Sequence, residues 1–260
     1  MTDSDAANPR QFEGKSVVVT GGGAGIGRAI ALAFASAGAR VALAGRNLEA
    51  AEHAAAEIAD ATGGQTHAVR ADVSRPEDCA ALIEAGAARF GALDILVANA
   101  AHFALLPLLD ARPEDVARFL DTNLCGPLFC GQAFARRAIA GGRTGVIVNI
   151  GSIAGARPAP GCGLYSASKA ALVSLTRTMA LEWGPRGVRV NAVAPGHVAT
   201  PGVEADFAAG RLDRAAMIAR IPAGRIAEAA DIADAVLFLA SARARHVVGA
   251  VLTIDGGESM

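Results

Sequence analysis

Short, almost continuously apolar stretches alternate along the chain with longer segments in which apolar residues recur every three or four positions. Strands of a parallel sheet covered on both faces show the first pattern, and amphipathic helices show the second. The short stretches predict strands at 16–20, 40–44, 66–70, 94–98, 145–150, 188–193 and 250–254. The longer segments predict helices near 25–37, 47–61, 75–90, 113–139, 163–183 and 229–240.

The regular order of strand and helix predicts an α/β fold: a doubly wound, Rossmann-type parallel sheet of about seven strands with helices on both faces. Residues 13–260 are expected to form this single domain, and residues 1–12 a flexible tail. The interval from about 196 to 225 breaks the order, because it follows a strand and contains no clear strand of its own. A long excursion at the carboxyl end of a strand usually forms a lid or a substrate loop.

Composition narrows the class of protein. Of 260 residues, 52% are hydrophobic and 19% are charged, which is enough apolar material for a large core. The formal net charge is -1, and no basic stripe appears, so the sequence argues against binding to nucleic acid or to an anionic membrane. No apolar run reaches membrane-spanning length and no signal-peptide pattern is present, so we expect a cytoplasmic protein.

Cysteine and histidine spacing predicts no metal site. The four cysteines form no CxxC pair, and the five histidines form no HExxH pattern. In a reducing compartment such cysteines are expected to be free thiols.

A glycine-rich turn, TGGGAGIG, separates the first predicted strand from the first predicted helix. Gly21, Gly25 and Gly27 allow a tight turn and close approach of a pyrophosphate, and the helix N-terminus offers free N–H groups. A purely structural turn would also be rich in glycine. Because this one lies between a strand and a helix in a β-α-β unit, the sequence favours dinucleotide binding.

Tyr165 is the only tyrosine, and Lys169, four residues later, is one of two lysines. Residues at i and i+4 share a helix face, so the phenol and the ammonium can converge on one site. We expect the cation to lower the pKa of the phenol and to make Tyr165 a general acid and base. The alternative is a partly buried tyrosine with an incidental neighbour. Ser152 follows the fifth strand, where its hydroxyl can hold a reacting oxygen, although a simple turn serine is an alternative.

The order of these motifs resembles the short-chain dehydrogenase/reductase family, in particular its 3-oxoacyl-acyl-carrier-protein-reductase-like branch, over residues 13–258. Besides TGGGAGIG and the YSASK of Tyr165 and Lys169, the matching motifs are ANAA (98–101), TNLCG (122–126), IGS before Ile153, PGHVAT (195–200) and IDGG (254–257). Two departures stand out. Ala98 and Ala101 replace the first Asn and the Gly of the family's NNAG, and Gly151 precedes Ser152 where a serine is frequent.

This resemblance implies an enzyme that reversibly transfers a hydride between a nicotinamide cofactor and a carbonyl or secondary alcohol. It implies the catalytic set Asn123, Ser152, Tyr165 and Lys169, with Asn123 in a water-linked proton relay to Lys169. From the sequence alone, Asn123 could equally be a polar residue inside a helix. The implied cofactor contacts are Gly21, Gly25, Ile26, Gly27, Arg46, Asp72, Val73, Asn99, Tyr165, Lys169, Val198 and Thr200.

The second strand ends in VALAGRN, which bears on the choice of cofactor. An acidic residue at this end would bind the ribose hydroxyls of NAD, but Gly45 occupies the position and Arg46 follows. Glycine leaves room for a 2′-phosphate and arginine can pair with it, so NADP is favoured. NAD stays open, because Arg46 could instead stack on the adenine.

The sequence leaves the substrate open among a 3-oxoacyl thioester, a sugar-derived or cyclic ketone and an aliphatic secondary alcohol. His102, Phe103, Ile153 and Leu164 are candidate pocket residues. The 201–222 interval mixes acidic residues with arginines, which form either a solvated charged face or a means of steering an anionic substrate: Glu204, Asp206, Arg211, Asp213, Arg214 and Arg220.

The predicted helix 163–183 is apolar on almost every side, with Lys169 and Arg177 as the only charged residues between positions 166 and 181. Such a helix must be buried from more than one direction. Together with the resemblance, this predicts a homodimer or homotetramer. Two other functions are considered: a nucleotide-binding sensor or scaffold without catalysis, and a lyase or epimerase that retains its cofactor.

Overall fold

The computed structural model describes residues 10–260. The strands are β1 (Ser16–Thr20), β2 (Arg40–Gly45), β3 (Thr66–Arg70), β4 (Ile95–Ala98), β5 (Gly145–Ile150), β6 (Val188–Pro195), β7 (Val198–Ala199), β8 (Ala227–Glu228) and β9 (Val251–Ile254). The α-helices are α1 (Gly25–Ser36), α2 (Leu48–Thr62), α3 (Pro76–Phe90), α4 (Pro113–Leu120), α5 (Gly126–Ala140), α6 (Gly163–Trp183), α7 (Pro201–Ala208), α8 (Arg214–Ile218) and α9 (Ala229–Ala240).

Seven strands form one parallel sheet in the order β3-β2-β1-β4-β5-β6-β9. The prediction of a doubly wound parallel sheet is therefore confirmed. The chain first moves outward from β1 to β3 and then returns to build the other half from β4. This reversal opens a crevice between the carboxyl ends of β1 and β4, the usual ligand-binding position in such sheets.

Two apolar layers enclose the sheet because successive strand residues point to opposite faces. On one face, Val17 and Val19 pack with buried residues of α1, α2 and α9. On the other face, Val18 packs with buried residues of α3, α5 and α6. Both faces of the sheet are therefore shielded from water, which explains why its strands consist of nearly continuous apolar runs.

The predicted tail differs from the structure at its last residue. Residues 1–9 lie outside the described part of the chain. Phe12, however, is buried, and its ring meets Phe34 edge-to-face with centroids 4.9 Å apart. Its backbone N–H donates to the Ala37 carbonyl at 3.0 Å. Phe12 therefore belongs to the folded core rather than to the tail.

The interval 196–225 is more ordered than a loop, since it contains β7, α7 and α8. Thr200 caps α7 by accepting from the Val203 N–H, and Asp213 caps α8 by accepting from the Ala216 N–H. Met217, Ile221 and Ile226 form a small core beneath these helices.

Several charged residues of this interval pair with one another. Arg211 pairs with Asp206 at 2.6 Å, and Arg214 pairs with Glu204. This pairing favours the solvated charged face over the steering of an anionic substrate.

The predicted helix 113–139 is divided in the structure. A five-residue π-helical segment, Asp121–Cys125, separates α4 from α5. Apolar periodicity does not reveal such a widened turn, because the residues on both sides keep a helical spacing. In the described part of the chain, no helix combines the length and the hydropathy needed to cross a membrane.

Candidate active site

The predicted site residues gather at the carboxyl ends of the central strands and at the short strand β7 that follows β6. The glycine turn follows β1, Asn99 follows β4, Ser152 follows β5 and Thr200 follows β7. The first two turns of α6 carry Tyr165 and Lys169 towards the same edge. The arrangement corresponds to the crevice that the strand order creates.

Tyr165 lies partly buried at the start of α6, edge-on to the ring of Phe103 with centroids 5.1 Å apart. Burial raises the pKa of its phenol, and a hydrogen bond with Ser152 opposes that rise. The expected lowering of this pKa by Lys169 is wrong, because the cost of placing a phenolate away from water outweighs the favourable contacts. The phenol therefore holds its proton at neutral pH.

Lys169 is almost completely buried, with 2% of its surface exposed. Its Nζ donates to the Ile150 carbonyl at 2.7 Å and lies 5.7 Å from the centroid of the Tyr165 ring. Burial lowers the pKa of the ammonium to about 8. Since Ile150 ends β5, this hydrogen bond fixes α6 against the strand that leads to Ser152.

Ser152 begins a single 3-10 turn and accepts a hydrogen bond from the Ala154 N–H at 3.1 Å. The same side chain forms the hydrogen bond that opposes the rise in the Tyr165 pKa. Ser152 therefore lies close enough to act on the Tyr165 phenol, an arrangement suited to holding a substrate oxygen between the two hydroxyl groups.

Asn123 is buried in the π-helical segment and holds the chain after β4. Its Oδ1 accepts from the His102 N–H at 2.7 Å, and its Nδ2 donates to the His102 carbonyl at 2.9 Å. Nδ2 also donates to Ser168 Oγ at 3.0 Å, and Ser168 Oγ donates to the Tyr165 carbonyl at 2.7 Å. The side chain therefore connects β4, the π-helical segment and α6. Its role in a relay to Lys169 stays a prediction.

The glycine turn needs its glycines for two different reasons. Gly21 and Gly25 have φ values of 66° and 52°, which side chains rarely adopt. At Gly27, a Cβ would lie 2.1 Å from the Gly21 carbonyl oxygen. Any larger residue there would push α1 away from the turn.

The ANAA segment supports this turn despite its two alanines. Asn99 Nδ2 donates to the Thr20 carbonyl at 2.9 Å and to the Gly21 carbonyl at 3.3 Å. Thr20 Oγ1 accepts from the N–H groups of Asn99 and Ala100, both at 3.0 Å. Asn99 therefore positions the glycine turn.

The N-terminus of α1 fits a phosphate group. It has no side-chain cap and no acidic residue in its first turn, and Ile26 lies there partly buried. A Cβ at Gly25 would lie 3.5 Å from Thr200 Cγ2, so the turn faces the start of α7. The missing side chains leave room for a pyrophosphate beside free N–H groups, and Gly21, Gly25, Ile26, Gly27 and Thr200 would border it.

A second hollow, of about 470 Å³, lies where β2 and β3 end, and five residues line it: Arg46, Arg70, Asp72, Arg75 and Asp78. A Cβ at Gly45 would meet a single neighbouring atom, the Asn47 carbonyl oxygen at 3.8 Å, so the space beside it is open. This hollow fits the adenosine end of a dinucleotide. Sequence reasoning identified Arg46 and Asp72 but missed Arg70 and Arg75.

Asp72 is held in place at this hollow. Burial raises the pKa of its carboxyl, but hydrogen bonds from Ser74 and the charges of Arg46 and Arg75 outweigh that effect and lower it. The next residue, Val73, is buried against Gly126, where an added Cβ would lie 2.9 Å from Val73 Cγ2. Val198, on β7, is buried as well.

The substrate side of the cleft carries the predicted pocket residues. Phe103 is 58% exposed beside Tyr165. The His102 ring meets Phe119 at 4.6 Å, and burial, followed by the charges of Arg118 and Arg46, lowers its pKa. Ile153 and Leu164 are partly buried.

The segment 255–260 was not among the predicted site residues, yet it connects two flanks of the cleft. Glu258 Oε1 lies 2.7 Å from His197 Nδ1, next to β7. The Glu258 carbonyl accepts from Arg157 Nη1 at 2.7 Å. No sequence pattern marks this segment apart from the IDGG motif (254–257), with which it overlaps.

Two further observations concern metal binding and a hollow elsewhere on the protein. Within residues 10–260, no group of three or more His, Cys, Asp or Glu residues could hold a metal ion. A larger hollow, of about 750 Å³, lies between α3 and α5 near the start of β4 and contains none of the predicted site residues.

Comparisons with known proteins agree with this geometry. A family model described as "Enoyl-(Acyl carrier protein) reductase" matches residues 21–259. The sorbitol dehydrogenase of Cereibacter sphaeroides is 40% identical over 258 residues, covering 96% of this chain and 99% of that protein.

Two solved structures have a similar fold. A short chain dehydrogenase from Burkholderia cenocepacia J2315, in complex with NADP, has a TM-score of 0.87 and 37% identity, covering 96% of this chain and 100% of its own. The 3-ketoacyl-(acyl-carrier-protein) reductase from Brucella melitensis, complexed with NADH, has a TM-score of 0.87 and 33% identity, with the same coverage of 96% and 100%.

Proposed function

This chain belongs to the short-chain dehydrogenase/reductase family, and we propose that Ser152, Tyr165 and Lys169 are its catalytic residues, supported by Asn123. The protein is an NAD(P)-dependent oxidoreductase that acts on alcohol or carbonyl groups of small molecules, as the sequence predicted. The alternative of a non-catalytic sensor has no support among these relatives, which are named dehydrogenases and reductases.

The bound nicotinamide cofactor supplies or accepts the hydride. Tyr165 donates its proton to the oxygen of a carbonyl substrate during reduction and removes the proton from the alcohol during oxidation. Ser152 donates a hydrogen bond to the same oxygen and stabilises the charge that develops there. The observation that carries this assignment is the placement of the three side chains at the carboxyl edge of the sheet: Ser152 follows β5, and Lys169 Nζ lies 5.7 Å from the centroid of the Tyr165 ring.

Lys169 places a positive charge behind the phenol. Its buried position allows the ammonium to act at short range, because water does not screen it. With a pKa lowered to about 8, the amine is also able to pass a proton onward. We assign Lys169 to hold the nicotinamide ribose and to assist proton exchange at Tyr165.

We assign NADP as the preferred cofactor. Gly45 leaves open space where an acidic residue would select NAD, and Arg46 follows it at the end of β2. A guanidinium group pairs well with a phosphate, which only NADP carries at the ribose 2′ position. The remaining predicted contacts, Asp72, Val73, Asn99 and Val198, would bind the adenine and nicotinamide portions.

The assembly and the compartment belong to the same proposal. One exposed face of α6 carries mostly small or apolar side chains, which suits close packing against a second copy in a homodimer or homotetramer: Ala167, Ala170, Ser174 and Leu181. We also propose a cytoplasmic location, and the four free cysteines are compatible with a reducing compartment.

The replacement Tyr165→Phe tests the catalytic assignment, because it removes one hydroxyl and keeps the ring. We expect turnover to fall by at least about 10³-fold, with the nucleotide dissociation constant within about twofold of the parent value. Turnover is measured by reduced-cofactor absorbance across a panel of ketones and secondary alcohols. Since the phenol holds its proton at neutral pH, alcohol oxidation by the parent enzyme should become faster as the pH rises.

The matched control is Phe103→Leu, which alters the ring that Tyr165 contacts and leaves the phenol in place. This variant should retain measurable turnover. Near-normal turnover in Tyr165→Phe would show that the proton comes from elsewhere.

A further inference from the structure

Arg70 is the last residue of β3 and lies at the hollow formed where β2 and β3 end. In the parallel pairing of β2 with β3, Gly45 is aligned with Arg70. Arg46 follows Gly45 in the chain, so two arginines from neighbouring strands stand at the same sheet edge. Both line the hollow of about 470 Å³.

The guanidinium groups of Arg46 and Arg70 differ from that of the third arginine of the hollow. Within residues 10–260, neither forms a hydrogen bond or an ion pair, whereas Arg75, the third arginine of the hollow, pairs with Glu77 at 2.7 Å. Positive charge that faces an open hollow without a protein partner is available to an anionic ligand.

The two carboxylates of the hollow already have donors. Asp72 Oδ1 accepts from the Ser74 N–H at 3.0 Å and from Ser74 Oγ at 2.7 Å. Asp78 Oδ2 accepts from the Asp72 N–H at 2.9 Å. These acidic groups therefore keep local partners and leave Arg46 and Arg70 free to bind the ligand.

Gly45 precedes Arg46 in the chain and is aligned with Arg70 on the neighbouring strand. A Cβ at Gly45 would meet only the Asn47 carbonyl oxygen, at 3.8 Å, so the missing side chain leaves open space next to these two residues. The 2′-phosphate of NADP carries nearly two negative charges and several acceptor oxygens, enough for two guanidinium groups at once.

We propose that Arg70 binds the 2′-phosphate of NADP together with Arg46 and thereby sets the preference for NADP over NAD. This inference rests on the proposed use of NADP. It adds Arg70, at the end of β3, as a second residue that selects the cofactor. The sequence pattern alone indicated only Gly45 and Arg46, at the end of β2.

Isothermal titration calorimetry of the purified protein with NADP⁺ and with NAD⁺ tests the inference without turnover. We expect Arg70→Ala to weaken NADP⁺ binding at least about tenfold, as for the loss of a hydrogen bond to a charged group, and to leave NAD⁺ binding within about twofold. Arg70→Lys should recover part of the NADP⁺ affinity. Arg46→Ala should behave like Arg70→Ala, and the double variant should lose less than the product of both effects, because one phosphate is shared.

Arg89→Ala is the matched control, since Arg89 lies on α3 near its opposite end and outside the hollow. It should change neither affinity. An unchanged NADP⁺ affinity in Arg70→Ala, or equal losses for both nucleotides, would overturn the inference.

The same measurements separate this inference from the proposed function. If Arg46→Ala weakens NADP⁺ binding but Arg70→Ala does not, the NADP assignment survives and the role of Arg70 fails. If the parent protein binds NAD⁺ and NADP⁺ equally, both fail. Selective binding without turnover of any substrate would refute the catalytic assignment alone.

Discussion

The amine of Lys169 is almost completely buried, and its hydrogen bond to the Ile150 carbonyl replaces part of the hydration that burial removes. A buried group with a lowered pKa opposes folding as long as it is protonated. Below pH 8 the folded state must carry the charge inside the protein, whereas the unfolded chain carries it in water. The buried ammonium of Lys169 therefore reduces the stability of the folded state.

Lys169→Met is expected to abolish turnover, with unfolding free energy raised or unchanged at pH 7. Between pH 8 and 10.5 the unfolded chain binds more protons at this position, so the parent protein loses its penalty as the pH rises. The stability difference between variant and parent should decrease by about 2–3 kcal/mol from pH 7 to pH 10. Urea unfolding at several pH values measures it.

Lys15→Met provides the control, because Lys15 is the other lysine and is half-exposed beside Asp94. It should change the unfolding free energy by less than about 1 kcal/mol at either pH. A stability difference for Lys169→Met that does not depend on pH would contradict the buried-amine explanation.

For single residues, the sequence predicted that Tyr165 and Lys169 lie near each other, but it did not predict the direction in which the pKa of the phenol shifts. The i, i+4 spacing placed Tyr165 and Lys169 on one helix face. It could not reveal burial, which raises the phenol pKa instead of lowering it. Arg70 escaped notice for a similar reason, because its position beside Gly45 depends on the strand alignment.

The π-helical segment between α4 and α5 is the element that holds Asn123 in place. Its extra width at 121–125 turns Asn123 inward, where it satisfies the N–H and the carbonyl of His102. Such widened turns are frequent at functional sites. Through Asn123, the segment links His102, in the chain that follows β4, to Ser168 on α6, the helix that carries Tyr165.

Asn123→Ala should leave both His102 backbone groups without their partner. We expect the unfolding free energy to fall by about 2–3 kcal/mol and turnover to decrease as well. Ser168→Ala, which removes one hydroxyl from the same network, should cost about 1 kcal/mol. Chemical denaturation compares the two. A loss of turnover in Asn123→Ala with unchanged stability would point to the proton relay rather than to positioning.

The short elements were the least predictable from the sequence. Strands such as 16–20 and 145–150 and the helix 163–183 appear with the predicted bounds, because continuous apolar runs mark the strands and a long segment of helical spacing marks the helix. The helices α7 and α8 have eight and five residues, too few to produce a clear apolar period. The π-helical segment interrupts a pattern that otherwise fits one helix.

On the scale of the whole molecule, the exposed face of α6 is the surface that we propose for contact with a second copy. Ala167, Ala170 and Ser174 follow one another at helical spacing on this face, Thr178 and Leu181 continue it, and the exposed Arg177 lies at its edge. Small side chains there would let a second copy approach closely. Its contact would bury the outer side of α6 and would stabilise the helix that carries Tyr165.

Ser174→Arg should disrupt this packing by placing a long charged side chain in the contact. We expect the molar mass measured by size-exclusion chromatography with light scattering to fall to a smaller assembly. Ala56→Arg, at an exposed position on α2, is the matched control and should keep the parent mass. If both variants keep that mass, the interface lies elsewhere on the protein.

The partly buried phenol of Tyr165 is the only one in the chain. Any tyrosinate band in the ultraviolet spectrum therefore arises from this one side chain of the cleft, with no contribution from another tyrosine. Trp183, the sole indole, ends the same helix and gives an independent emission signal. Ordinary optical instruments can thus follow ionisation and helix integrity separately in the unlabelled enzyme.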